Sequence, residues 1–134
     1  MNLLEGKRKN IKNSQALDWV DADVDGEILS ALIISSNGLP SWMKTGESVT
    51  LIIKETEVSI AKGLSGKISL RNRFLCHIEA MRKGELLSEI SLKYGLYSIV
   101  SVITTRAVES LELKVGEQVE ALVKSNEVSL MKIN

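Results

Sequence analysis

The chain is written twice, and that constrains its fold more than any other feature. The segment from Gly46 to Ile60 lies over the segment from Gly116 to Leu130 with glycine, glutamate, valine, lysine (Lys54 and Lys124), glutamate, valine (Val58 and Val128) and serine in common. Between these identities apolar residues stand opposite apolar residues. Further back, and with one gap, Ile33-Ile34-Ser35 aligns with Val102-Ile103-Thr104 and Gly26 with Gly95. Leu4, Gly6 and Lys7 fall opposite Phe74, Cys76 and His77. Self-similarity of this kind marks one supersecondary unit used repeatedly. The repeat divides the chain into modules at 1–62 and 67–134, joined by the turn-prone Gly63-Leu64-Ser65-Gly66. Units of about 65 residues bury a low fraction of their surface, so the copies are expected to pack on each other or to associate.

Each copy reads as strands. Val49, Leu51 and Ile53, and again Val119, Ala121 and Val123, alternate with mainly polar neighbours, the period-two pattern of a half-buried strand. Ile28 to Ile34 and Leu96 to Ile103 are runs rich in β-branched residues that follow Gly26 and Gly95, which suit hairpin turns. One helical turn is expected per copy. In the second copy Thr104 or Thr105 would cap it, Val108 and Leu111 would face inward, and Gly116 lies beyond its end. The expectation is therefore all-β: two tandem small OB-like barrels, each with about one short helical turn. A small incomplete sandwich is the alternative.

Composition removes several functions. The 134 residues carry no formal net charge and only 4% aromatics, which disfavours an OB-type nucleic-acid binder that stacks bases in a basic groove. With one cysteine and one histidine, Cys76 and His77 read as packing or surface residues. A cysteine-rich metal site or a Ser-His-Asp triad is poorly supplied, so no enzyme is expected. No apolar run approaches the roughly 20 residues of a membrane span, and Met1 to Lys12 has no apolar h-region. The sequence reads as cytoplasmic. Trp19 and Trp42 read as apolar anchors, Gly84 and Gly95 as turn residues, and the basic stretch from Lys7 to Lys12 as a solvated hairpin.

The second copy carries four short motifs in fixed order: Ser69-Leu70-Arg71-Asn72, Val102-Ile103-Thr104, Leu113-Lys114-Val115-Gly116, and Lys124-Ser125-Asn126-Glu127-Val128. In that order it resembles the Mop or TOBE module of molbindins, of molybdate-responsive regulators and of molybdate-transporter ATPase subunits. The resemblance implies binding of molybdate or tungstate, with no organic cofactor and no direct protein–metal ligands, at pockets where modules or subunits meet. It also implies a homo-oligomer, dimer or trimer, with no membrane partner, used for intracellular storage, buffering or homeostasis. The site residues it carries over are Ser69, Arg71, Thr104, Lys124 and Ser125.

The residue chemistry agrees. A tetrahedral dianion at neutral pH only accepts hydrogen bonds, so it needs donors on several sides and about two positive charges. Arg71 offers a planar fork and Lys124 a compact charge; Ser69, Thr104 and Ser125 offer hydroxyls. Asn72 is expected to hold the strand start in shape. The plainer reading of the two lysines is as solvated strand lysines that guard a sheet edge.

The first copy departs from the pattern. Met1 falls opposite Arg71 and Asn2 opposite Asn72, so nothing supplies the Ser-x-Arg start. Lys54 is kept, Ser35 is set against Thr104, and Glu55 replaces the small residue after the lysine. A degenerate module with at most a partial site at Ser35 and Lys54 is expected. A ligand-sensing domain of a molybdate-responsive regulator is the alternative function, although no helix-turn-helix pattern is present.

Overall fold

The computed structural model describes residues 1–34 and 46–132. Ten strands occupy most of this length: β1 (Asn2–Ser14), β2 (Leu17–Val24), β3 (Glu27–Ile34), β4 (Ser48–Ile53), β5 (Ser59–Ala61), β6 (Asn72–Lys83), β7 (Leu87–Tyr94), β8 (Tyr97–Thr104), β9 (Gln118–Val123) and β10 (Val128–Lys132). The helix α1 (Thr105–Ser110) follows β8, and single 3-10 turns cover Glu55–Glu57 and Ser125–Glu127. Alternation shapes the strands as expected. On β1, Asn2, Leu4, Gly6 and Arg8 point inward while Leu3, Glu5 and Lys7 point out. On β6, Asn72, Phe74, Cys76 and Ile78 repeat the inward set.

The elements of the second copy start 70 positions after their counterparts, as in Asn2 and Asn72, Leu17 and Leu87, Glu27 and Tyr97, and Ser48 and Gln118. No gap intervenes. Thr104 therefore corresponds to Ile34 rather than Ser35, and the two hairpin glycines are not equivalent. Asp25 and Gly26 both have positive φ (51° and 95°), whereas in the second hairpin Gly95 alone does (56°). A type I′ turn needs positive φ at both central residues and a type II′ turn only at the first, so each hairpin places its glycine differently.

The strands form two five-stranded sheets, ordered β10-β4-β1-β2-β3 and β5-β9-β6-β7-β8. Each curls, with β10 coming beside β3 and β5 beside β8, as in an OB-like module. The fifth strand of each is exchanged: β10 runs antiparallel on β4 of the first copy, and β5 on β9 of the second.

A single apolar core spans both copies. Phe74 and Tyr94 pack with ring centroids 4.8 Å apart, and the Tyr94 hydroxyl donates to Val24 O at 2.6 Å across the junction. The two hairpin tips meet there, since a side chain at Gly95 would collide with the Asp25 carboxylate.

Two expectations need correction. The basic stretch from Lys7 to Lys12 does lie in the first arm of the β1–β2 hairpin, with its lysines exposed, but Arg8 within it is fully buried rather than solvated. Trp19 is only half-buried, donating from Nε1 to Asp21 Oδ1 at 2.8 Å. Trp42, Ser35 and any helical turn between residues 35 and 45 lie outside the described residues.

Candidate functional site

In the second module β9 ends at Val123, and Lys124 continues in extended conformation (φ −71°, ψ 139°) into the turn Ser125–Glu127. Lys124 O accepts from Glu127 N at 2.9 Å, which closes the turn. Asn72 pairs with Val123, so the antiparallel register, carried one step further, sets Arg71 opposite Lys124. Directly opposed residues in such a pair lie about 5 Å apart at Cα. Two cations are thus neighbours at one corner of the sheet, both exposed at their heads. Ser69 lies two residues before Arg71 and is exposed. The Arg71 Nη2 donates to Ile68 O at 3.1 Å, tying the guanidinium to the incoming chain.

Ser125 is different in kind. It is buried, and its Oγ has no hydrogen-bond partner among the described residues. A buried hydroxyl without a partner is uncommon in folded proteins and points to a missing acceptor. What covers it comes from the other copy: β3 packs against the turn Ser125–Glu127. The buried Asn72 amide holds the two together, accepting from Ser30 N at 2.6 Å and donating to Ser30 O at 2.8 Å. Asn72 does more than shape a strand start, since it fastens the first copy onto this corner.

Nearby charges sharpen the electrostatics. Arg73 is neutralised by a bidentate pair with Glu120 (2.9 and 3.0 Å), which lowers the Glu120 pKa and raises that of Arg73. Arg71 and Lys124 have no ion pair among the described residues. A surface cavity of about 420 Å³ near the other end of β6 also holds cations, Arg82 and Lys83. They are countered by Glu89 at 2.6 Å and Glu109 at 3.7 Å.

The structure separates Thr104 from this group. Thr104 pairs with Leu87 near the end of β6, whereas Arg71 precedes its beginning. Its hydroxyl caps α1, accepting from Ala107 N at 3.1 Å. The register extended from Asn72 and Val123 sets Arg71 opposite Lys124, which Ser125 follows in sequence, with Ser69 two residues before Arg71.

The first module builds the same corner with other residues. Lys54 has the same extended conformation (φ −68°, ψ 143°), its carbonyl closes the turn Glu55–Glu57 at 2.9 Å, and the turn packs on β8. Asn2 clasps Val100 as Asn72 clasps Ser30, at 2.8 Å in both directions. Glu55 stands in place of Ser125, and its Oε2 accepts from the Met1 α-ammonium at 2.9 Å, an ion pair. That bond holds the Glu55 carboxyl below the usual range.

Among the described residues there is no group of three or more His, Cys, Asp and Glu side chains fit to hold a metal ion. Burial pushes the Cys76 thiol up to about 11, leaving it protonated and unreactive at neutral pH. Among the described residues no helix is long and apolar enough to cross a membrane.

Residues 68–130 match the TOBE domain. The molybdenum-pterin-binding protein MopB of Rhodobacter capsulatus is 31% identical over 124 residues, covering 87% of this chain and 46% of MopB. The molybdenum transport protein ModE of Azotobacter vinelandii is 38% identical over 68 residues, covering 50% of this chain and 25% of ModE. The chain thus spans less than half the length of these curated relatives. The fold is that of the cytoplasmic molybdate-binding protein ModG, solved with molybdate bound, at a TM-score of 0.92 and 23% identity over 98% of this chain and 96% of that one. Residues 68–130 are thus a module of the TOBE family, and the first copy repeats the same fold beside it.

Proposed function

We propose that the protein binds molybdate at the corner formed by Arg71, Lys124 and Ser125, with no catalytic step. One observation carries the reading: a buried hydroxyl without a partner among the described residues follows Lys124, which has no ion pair among them, and the extended strand register sets Arg71 opposite that lysine. A tetrahedral dianion supplies the acceptor that Ser125 Oγ lacks and the charge that Arg71 and Lys124 lack. Charge-assisted bonds of this kind are roughly twice as strong as neutral ones. The molybdate-bound ModG supports this ligand, and the molybdenum-pterin-binding MopB and the molybdenum transport protein ModE support a molybdenum-containing one.

Tungstate, with the same charge and shape, is expected to bind equally. Ser69 completes the near side of the shell. Thr104, at the far end of β6, would reach an anion only across a contact with a second copy, in keeping with a homo-oligomeric dimer or trimer. The biological role in this reading is cytoplasmic storage or buffering of the oxyanion.

Titration calorimetry with molybdate, tungstate, sulfate and phosphate tests the proposal. Molybdate should bind more tightly than about 100 μM, near −5.5 kcal/mol. Lys124→Ala and Arg71→Ala should each weaken it by about 1.5–3 kcal/mol. Absence of heat with both molybdate and tungstate would end the proposal.

A further inference from the structure

The two modules share a backbone corner but differ in the side chains it carries. Lys54 and Lys124 have matching φ and ψ. Both turns close with the same 2.9 Å bond. Both corners are clasped to the opposite copy by a buried asparagine, Asn2 to Val100 and Asn72 to Ser30. A lysine, an extended entry and a packed strand from the other module are therefore present twice. Among the differences are Met1 for Arg71 and Glu55 for Ser125.

We propose that the first module contains a second, latent oxyanion site that the Glu55 carboxylate closes. This rests on the reading of the second module given above. The carboxylate does locally what a bound oxyanion would do. It follows Lys54 in sequence and forms an ion pair with the Met1 α-ammonium at 2.9 Å, the cation that stands at the position of Arg71. An incoming dianion meets like charge at the position where the second module presents a hydroxyl donor, and like charges in one site oppose each other. Closure of the first corner is thus assigned to one side chain, Glu55, with the main-chain frame already in place in both. Without an arginine opposite Lys54, the opened site would be at least about tenfold weaker than its counterpart, the factor expected for one missing charge-assisted bond.

Calorimetric titration of molybdate into the full chain and its variants decides the matter. Glu55→Ser should add one binding event per chain to the wild-type stoichiometry, and Glu55→Asp should add none. Glu55→Gln, which keeps the size of the side chain and removes only its charge, is titrated alongside so that a folding defect in one variant cannot hide the result. The double variant Glu55→Ser with Lys54→Ala should return to the wild-type stoichiometry. Unchanged stoichiometry in both folded neutral variants overturns the inference, as does an extra site that survives Lys54→Ala. A wild-type chain that takes up no oxyanion instead overturns the reading of the second module. The serine and glutamine variants still report on the first.

Discussion

On β6 the inward position before the bulge is Ile78, and on β1 the same position is Arg8. Arg8 is fully buried, and its Nε, Nη1 and Nη2 have no hydrogen-bond partner among the described residues. Burial lowers its pKa, and the charge of Glu47 offsets only part of that. A buried charge without good partners destabilises a fold, because the desolvation cost is not returned. Arg8→Ile, which copies the second module, should therefore stabilise the protein by about 1–3 kcal/mol. Urea unfolding with an unchanged slope would measure this, and a loss of stability would show that the guanidinium has a favourable partner. The stretch Lys7-Arg8-Lys9 reads as solvated if its charges are simply counted. The period-two pattern running through Leu4, Gly6 and Arg8 already placed the middle residue on the inner face.

Strand pairs are fastened between copies by two amides, and their strength can be measured. Asn72→Ala removes two short bonds and leaves the Ser30 N–H and C=O without partners in a buried setting. About 1–3 kcal/mol per orphaned group gives an expected loss of about 2–6 kcal/mol. Thermal unfolding should show it, and Asn2→Ala should lose less because its bonds to Val100 are only partly buried. A loss for Asn72→Ala below about 1 kcal/mol would mean that the clasp is replaceable. At this scale the strands and the capping by Thr104 were legible, because alternation and capping are local. Pairing was not. A period of two tells which side chains face inward but not which strand lies alongside. Nothing near Ser59 or Val128 says that each will cross to the other copy, nor does Asn72 reveal a partner 42 residues away. For the same reason Thr104 grouped with the site in sequence, although β8 runs to the far end of its sheet.

Exchange of β5 and β10 makes the two modules one folding unit. Residues 67–134 alone would lack β5, which covers β9, and β4, on which β10 lies. That fragment is expected to be either unfolded or dimeric, with each copy lending β10 to the other. Light scattering and circular dichroism on the fragment would check this, and a monomer with a cooperative melt would refute it. The same exchange has a mechanical consequence. β1 and β10 flank β4, both antiparallel to it, and Asn2 and Val128 both face Ile53. Tension applied between Asn2 and Lys132 would slide the two outer strands in opposite directions along the middle one. The ladder bonds would then bear the load together in shear rather than peel one after another, so rupture under force would follow the unfolding barrier of the whole molecule. The seam that holds β1 and β10 on β4 therefore resists force along the chain better than a strand pair that peels.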